Sequence, residues 1–184
     1  MRSVLVLTLT GFFSALLLFG TNKLTEGPVR KAVERVKVEA LRQIFPFEFS
    51  DGDINRATGA DGRVYFEIKD RDGGLKGVAV EVSGDKGYSG RIKVLLAVSA
   101  AGGVYDYSVL AHQETPGLGN KITEPAFRRQ FKDRKLDGFN WKVKKDGGDV
   151  DAVTAATISS RAITEILERG LKLVLERYPQ ERKK

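Results

Sequence analysis

The hydrophobic and polar positions follow three regimes along the chain. Val4 to Gly20 reads VLVLTLTGFFSALLLFG, an apolar run without a charge and at the short end of what crosses a bilayer as a helix. Arg2 ahead of it also fits a signal peptide, but Phe19-Gly20-Thr21-Asn22 offers no small-x-small cleavage site. An uncleaved single anchor over 1–24 is therefore expected. Thr25-Glu26-Gly27-Pro28 breaks the run, and Pro28 suits the first position of a new helix. Val29, Ala32, Val33, Val36, Ala40, Leu41 and Ile44 then recur at helical spacing up to Pro46, which predicts a linking helix within 25–50.

From Arg63 the pattern becomes that of strands. Val64–Ile68, Val78–Val82, Ile92–Val98 and Val104–Leu110 are rich in β-branched and aromatic residues, with turns at Asp72-Gly73-Gly74 and Ala101-Gly102-Gly103. Pro125–Phe131 reads as a short helix with Phe127 and Phe131 on one face, Trp141–Val143 as a further strand, and Asp146-Gly147-Gly148 as a turn. Ile158, Ala162, Ile166, Leu167, Leu171, Val174 and Tyr178 form the apolar stripe of a final helix reaching about Arg177, followed by a solvated basic tail after Pro179. The fold class expected is α+β: an antiparallel sheet packed with helices, preceded by one N-terminal transmembrane helix.

Composition narrows the chemistry. A chain of 184 residues suits one domain over 51–184 plus the anchor and link. It contains no cysteine and one histidine, His112, so thiolate zinc, iron–sulfur clusters and multi-histidine metal sites are not expected. The net charge of +7 fits an anionic membrane surface better than nucleic acid, because basic and acidic residues are interleaved and no nucleic-acid motif appears. Local charge does not orient the anchor, since Arg2 lies on one side and Lys23, Arg30 and Lys31 follow on the other.

Three stretches could hold a ligand. Asp151-Ala152-Val153-Thr154-Ala155-Ala156-Thr157-Ile158-Ser159-Ser160-Arg161 opens the last helix with small and hydroxyl-bearing residues. The unpaired N–H groups and positive dipole end of a helix favour a phosphate there. On composition alone, Asp151 or Thr154 could equally be an ordinary cap. Gly87-Tyr88-Ser89-Gly90 allows a tight turn before a strand, with Tyr88 able to face a ligand or simply to pack. His112-Gln113-Glu114-Thr115-Pro116-Gly117-Leu118-Gly119-Asn120-Lys121-Ile122 must turn sharply at a strand end and leave polar groups there, as a binding loop or an ordinary surface loop would.

These stretches carry a resemblance. Asp151-x-x-Thr154-Ala155-Ala156-Thr157 resembles the Asp-x-x-[Ser/Thr]-Gly-Ala-Thr flavinylation motif of FMN-binding domains, whose final threonine carries FMN through a phosphoester; Ala155 stands where glycine is usual. Ile158-Ser159-Ser160-Arg161-Ala162, the Gly-Tyr-x-Gly element, the Glu114–Gly119 stretch and the Asp146–Gly148 turn occur in the order found in the G subunit of the Rnf electron-transport complex. The loop also resembles that of the C subunit of the Na⁺-translocating quinone reductase. The resemblance implies covalent FMN on Thr157, favoured by the helix start and by Arg161. It implies a pocket of Thr154, Ala155, Ala156, Ile158, Ser159, Ser160, Glu114, Thr115, Gly117, Leu118 and Gly119, with Tyr88 beside it and His112 a poorer candidate. Residues 51–184 would be the FMN-binding domain, on the extracytoplasmic side of the cell membrane.

The function implied is electron transfer by a non-autonomous redox subunit of an ion-translocating ferredoxin:NAD oxidoreductase complex, with other integral and peripheral subunits as partners. A separate flavin transferase would attach the cofactor, since no nucleotide-binding motif appears in the sequence. The related quinone reductase component, an extracytoplasmic FMN-binding sensor or donor, and a tethered scaffold without cofactor are the alternatives.

Overall fold

The computed structural model describes residues 1–70 and 72–179; the basic tail expected beyond Pro179 lies outside the described residues. The chain divides into two compact units, Met1–Lys37 and Val38–Lys184. Helix α1, Arg2–Ile44, runs without a break. Pro28 lies inside it rather than starting a second helix, which corrects the expected interruption at Thr25–Pro28. Proline costs an interior helix position about 3 kcal/mol and Gly27 adds to that cost, while the good helix formers Arg30-Lys31-Ala32 and Glu34-Arg35 follow within two turns. The first unit presents the apolar run of α1, whose mean hydropathy reaches 2.1 with none of that stretch buried, so the helix is long and apolar enough to cross a membrane.

In the second unit five strands form an antiparallel meander in the order β1 to β5: β1 Ile54–Thr58, β2 Val64–Lys69, β3 Leu75–Gly87, β4 Gly90–Ser99 and β5 Val104–Ala111. Four of these match the strands expected. β1 was not legible because Ile54-Asn55-Arg56-Ala57-Thr58 alternates only weakly and lies at the sheet edge. The continuous apolar runs of β3 and β4 arise because both sheet faces are covered. Val78, Val80, Val82, Val94, Leu96 and Val98 face one core with the last helix, while Ala79, Leu95 and Ala97 face another with Ala40, Leu41, Ile44 and Phe45.

Helix α2, Pro125–Arg128, and a 3₁₀ turn, Arg129–Phe131, take the place of the short helix expected, with Phe127 and Phe131 buried. Trp141–Val143 is not a strand; only an isolated parallel bridge joins Val143 to Val150. Helix α3, Thr157–Arg177, lies against β3 and β4 through Ala162, Ile163, Ile166, Leu167, Leu171 and Val174. Each large aliphatic side chain buried there contributes about 1.5–3 kcal/mol. Gly170 allows the close approach: a Cβ at this position would stand 2.9 Å from both Val82 Cγ2 and Leu96 Cδ2. Ile158, expected on the buried stripe, is instead 46% exposed.

Candidate functional site

A two-residue turn, Tyr88-Ser89, joins β3 to β4. Gly87 is needed there because a Cβ would stand 2.4 Å from the Gly90 carbonyl and 2.7 Å from Glu114 Oε1. After β5 the chain turns at Thr115-Pro116-Gly117-Leu118, closed by the Leu118 N–H donating to the Thr115 carbonyl at 3.2 Å. Gly117 takes φ +75°, the left-handed geometry that the third position of a type II turn requires after proline.

Helix α3 starts without a side-chain cap. Its N-cap is Ala156, and neither Asp151 nor Thr154 performs that role. Asp151 instead pairs with Lys144 at 2.8 Å. Ser160 holds the approach to the helix: its hydroxyl accepts the Val153 N–H at 3.0 Å and donates to the Ala156 carbonyl at 3.0 Å. Ala155 adopts φ +61°, a left-handed conformation that costs a Cβ-bearing residue about 1–2 kcal/mol. That geometry explains why glycine is usual at this position of the motif. The first-turn N–H groups at Thr157, Ile158 and Ser159 have no preceding helical turn to donate to.

Glu114 ties the three stretches together. It is 4% exposed, its Oε1 accepts the Ser89 N–H at 3.0 Å, and its Oε2 accepts the Ser159 hydroxyl. Gly119 leaves room for that contact, since a Cβ would stand 2.6 Å from Glu114 Oε2 and 2.8 Å from Ser159 Oγ. His112 Nδ1 accepts the Glu114 N–H at 3.1 Å, which gives the histidine a loop-shaping role away from the cavity.

Around this junction lies a cavity of about 460 Å³ lined by Tyr88, Glu114, Thr115, Leu118, Gly119, Ala155, Ala156, Thr157, Ile158 and Ser159. Of the residues expected at the site, Gly117, Thr154 and Ser160 fall outside this lining: Gly117 shapes the turn, Thr154 is exposed, and Ser160 is buried beneath the helix start. Tyr88, Leu118 and Ile158 are 69%, 44% and 46% exposed, a set of apolar side chains left in solvent at the cavity. The volume lies in the range of cofactor sites, with apolar walls for a planar ring and a helix start for an anion. The residues present fit FMN.

Electrostatics around Thr157 differ from expectation. Arg161 is engaged by Asp146 through two contacts of 2.6 and 2.7 Å. The hydrogen bond from Arg161 holds the Asp146 carboxyl below its ordinary value and raises the guanidinium above its own. The cation in contact with Thr157 is Lys145, whose Nζ lies 3.4 Å from Thr157 Oγ1. Sequence reasoning missed this lysine, because no periodicity or spacing relates the turn before Gly147-Gly148 to a helix start twelve residues after Lys145.

An antiparallel meander backed by a helix whose start opens on a part-apolar cavity frames a site of the size and chemistry of a cofactor pocket. Residues 87–172 match the model of the FMN-binding domain. The G subunit of the ion-translocating oxidoreductase complex of Cereibacter sphaeroides is 36% identical over 93% of this chain and 82% of its own length. The G subunits of Vibrio cholerae and Aliivibrio fischeri are 30% and 32% identical, covering 97% and 92% of this chain and 92% and 88% of theirs. The chain belongs to the family of G subunits of ion-translocating oxidoreductase complexes.

The fold is shared with solved structures of related type. The C subunit of the Na⁺-translocating NADH-quinone reductase from Parabacteroides distasonis aligns with a TM-score of 0.53 and 24% identity, over 65% of this chain and 64% of that one. Shewanella oneidensis NqrC aligns with a TM-score of 0.51 and 24% identity, over 67% of this chain and 65% of that one. Just under two thirds of each solved chain is thus spanned, and the likeness is one of fold.

Proposed function

We propose that this chain is the FMN-carrying electron-transfer subunit of an Rnf-type ion-translocating ferredoxin:NAD oxidoreductase complex, with FMN attached to Thr157 as a phosphoester. One observation carries the reading: Thr157, at the first position of an uncapped helix, lines a cavity built from both of the other stretches that resemble the family. Bound FMN supplies one-electron transfer there, so the chain itself need only hold, shield and present it. The first-turn N–H groups would receive the phosphate, and Tyr88, Leu118 and Ile158 would cover apolar ring surface. Glu114 and Ser159 fix the walls.

A separate flavin transferase makes the attachment, and the α1 anchor keeps the domain beside the integral subunits on the extracytoplasmic side. The relatives from Cereibacter and Vibrio are by name components of ion-translocating oxidoreductase complexes, which supports the assignment to such a complex. Intact mass and peptide mapping of the full chain made alongside a flavin transferase test the attachment. The expected result is one FMN on Thr157 and none on Thr157→Ala; covalent flavin persisting in that variant overturns it. Membranes carrying Thr157→Ala lose ferredoxin-dependent NAD⁺ reduction while retaining the subunit. Full activity without this flavin would sink the relay role. Resistance of the domain to protease in spheroplasts would overturn its placement outside the cytoplasm.

A further inference from the structure

The turn facing Thr157 carries one positive charge that reaches its hydroxyl. Lys144 pairs with Asp151 at 2.8 Å and Arg161 pairs with Asp146 at 2.6 Å. Between them in sequence, Lys145 makes no ion pair among the described residues, and its Nζ reaches the Thr157 hydroxyl at 3.4 Å. The backbone carrying it is held firmly. The Gly147 N–H donates to the Lys144 carbonyl and the Gly148 N–H to the Val143 carbonyl, each at 3.1 Å, while the Val150 N–H donates to the Lys142 carbonyl at 3.0 Å. Gly147 takes φ +80°, and a Cβ on Gly148 would stand 2.0 Å from the Lys142 carbonyl oxygen. The flanking ion pairs and the glycine turn therefore direct the lysine toward the start of α3.

We propose that Lys145 is the positioning residue for flavin attachment, orienting the Thr157 hydroxyl as acceptor and neutralising the phosphodiester that forms. This rests on Thr157 being the acceptor. To form the phosphoester, Thr157 Oγ attacks the flavin-side phosphorus of a flavin dinucleotide supplied by the transferase. An Oγ–P bond forms, the phosphoanhydride bond breaks, the nucleoside monophosphate leaves, and the hydroxyl proton passes to a base on the transferase. No electrons change hands. An ammonium donating to Oγ leaves the hydroxyl hydrogen free for that base and favours the developing negative charge on oxygen. The diester carries one negative charge, which the ammonium of Lys145, already in contact with Thr157, matches. Arg161 could do this only by giving up Asp146.

The test compares full-length wild type, Lys145→Gln, Lys145→Arg and Thr157→Ala as acceptors for a flavin transferase with flavin adenine dinucleotide, following covalent mass gain over time at several salt concentrations. Lys145 is exposed and outside the core, so melting temperatures of both lysine variants should match wild type. Lys145→Gln is expected to be modified roughly three- to tenfold more slowly, an exposed cation being partly screened. Lys145→Arg should recover most of the rate, and the wild-type to Gln ratio should shrink as salt rises. Equal rates for Lys145→Gln and wild type, an Arg variant as slow as Gln, or a ratio indifferent to salt would each overturn the role of Lys145. Covalent flavin on Thr157→Ala would instead overturn the acceptor assignment, so the two failures are distinguishable.

Discussion

Removing the Glu114 carboxylate should loosen the site more than any single change on the cavity wall. In Glu114→Ala the Ser89 N–H loses its acceptor inside the protein, and Ser159 loses the contact linking α3 to the loop. The serine hydroxyl can turn to the carbonyl one helical turn back. The Ser89 N–H has no such alternative within the protein, and because Ser89 is only part-buried its loss falls at the lower end of the about 1–3 kcal/mol that an unsatisfied donor costs. The space left by the side chain adds roughly 1 kcal/mol. Against this, the variant no longer buries a carboxylate that makes no ion pair among the described residues, which returns part of the loss. The net expectation is about 1–2 kcal/mol, or roughly 2–8 °C in melting temperature for a unit of this size. Glu114→Gln keeps an acceptor for Ser89 and can donate to Ser159, so its loss should stay below about 1 kcal/mol. Trp141 is a ready probe: it is the only tryptophan, is 7% exposed and stacks on Phe131 at 5.9 Å. Thermal melts of the detergent-solubilised chain followed by its fluorescence would decide the matter. A Glu114→Ala melt within about 1 °C of wild type, or a Gln variant that falls as far as Ala, would refute the hydrogen-bond account.

Two further outcomes follow from the same neighbourhood. Ala155→Gly should leave stability unchanged or raise it by up to about 1 kcal/mol in the same melt, because relief at φ +61° offsets the greater freedom of the unfolded chain; a loss of that size would show the left-handed geometry to be unstrained. The Asp146 carboxyl is held below 3.8 by Arg161, so its contribution is present above the unfolded value and fades as pH falls through the lower folded one. Asp146→Asn should therefore melt below wild type near neutral pH and converge with it at acid pH below 3.8, whereas a gap that widens on acidification would contradict the ion pair.

Much of this was legible in the sequence. The runs in β3 and β4 and the stripe of α3 announced themselves through period and residue type, since burial on both sheet faces demands continuous apolar strands. The Thr157, Glu114 and Gly119 stretches stood out through their motif resemblance, and the fold brings them to one cavity. Besides β1, three features were not legible. The continuity of α1 through Pro28 runs against the local breaker Gly27-Pro28, which read on its own marks a helix start. Trp141–Val143 has strand-like composition, but its neighbours there are a bridge and an aromatic stack instead of a sheet. The exchange of Arg161 for Lys145 beside Thr157 follows from ion pairs between segments, which no linear pattern records.

The Glu114 junction also sets an order of events. Its partners lie 25 and 45 residues away along the chain, at Ser89 and Ser159, on a hairpin turn and a helix that meet once β3, β4, β5 and α3 have come together. Contacts of such separation form late, because the intervening loops must close first. The surroundings of Thr157 are therefore complete only where those three stretches have met. A transferase that recognises those surroundings would act as an inspector of finished domains, and the flavin would become a lasting certificate that the protein beneath it had folded.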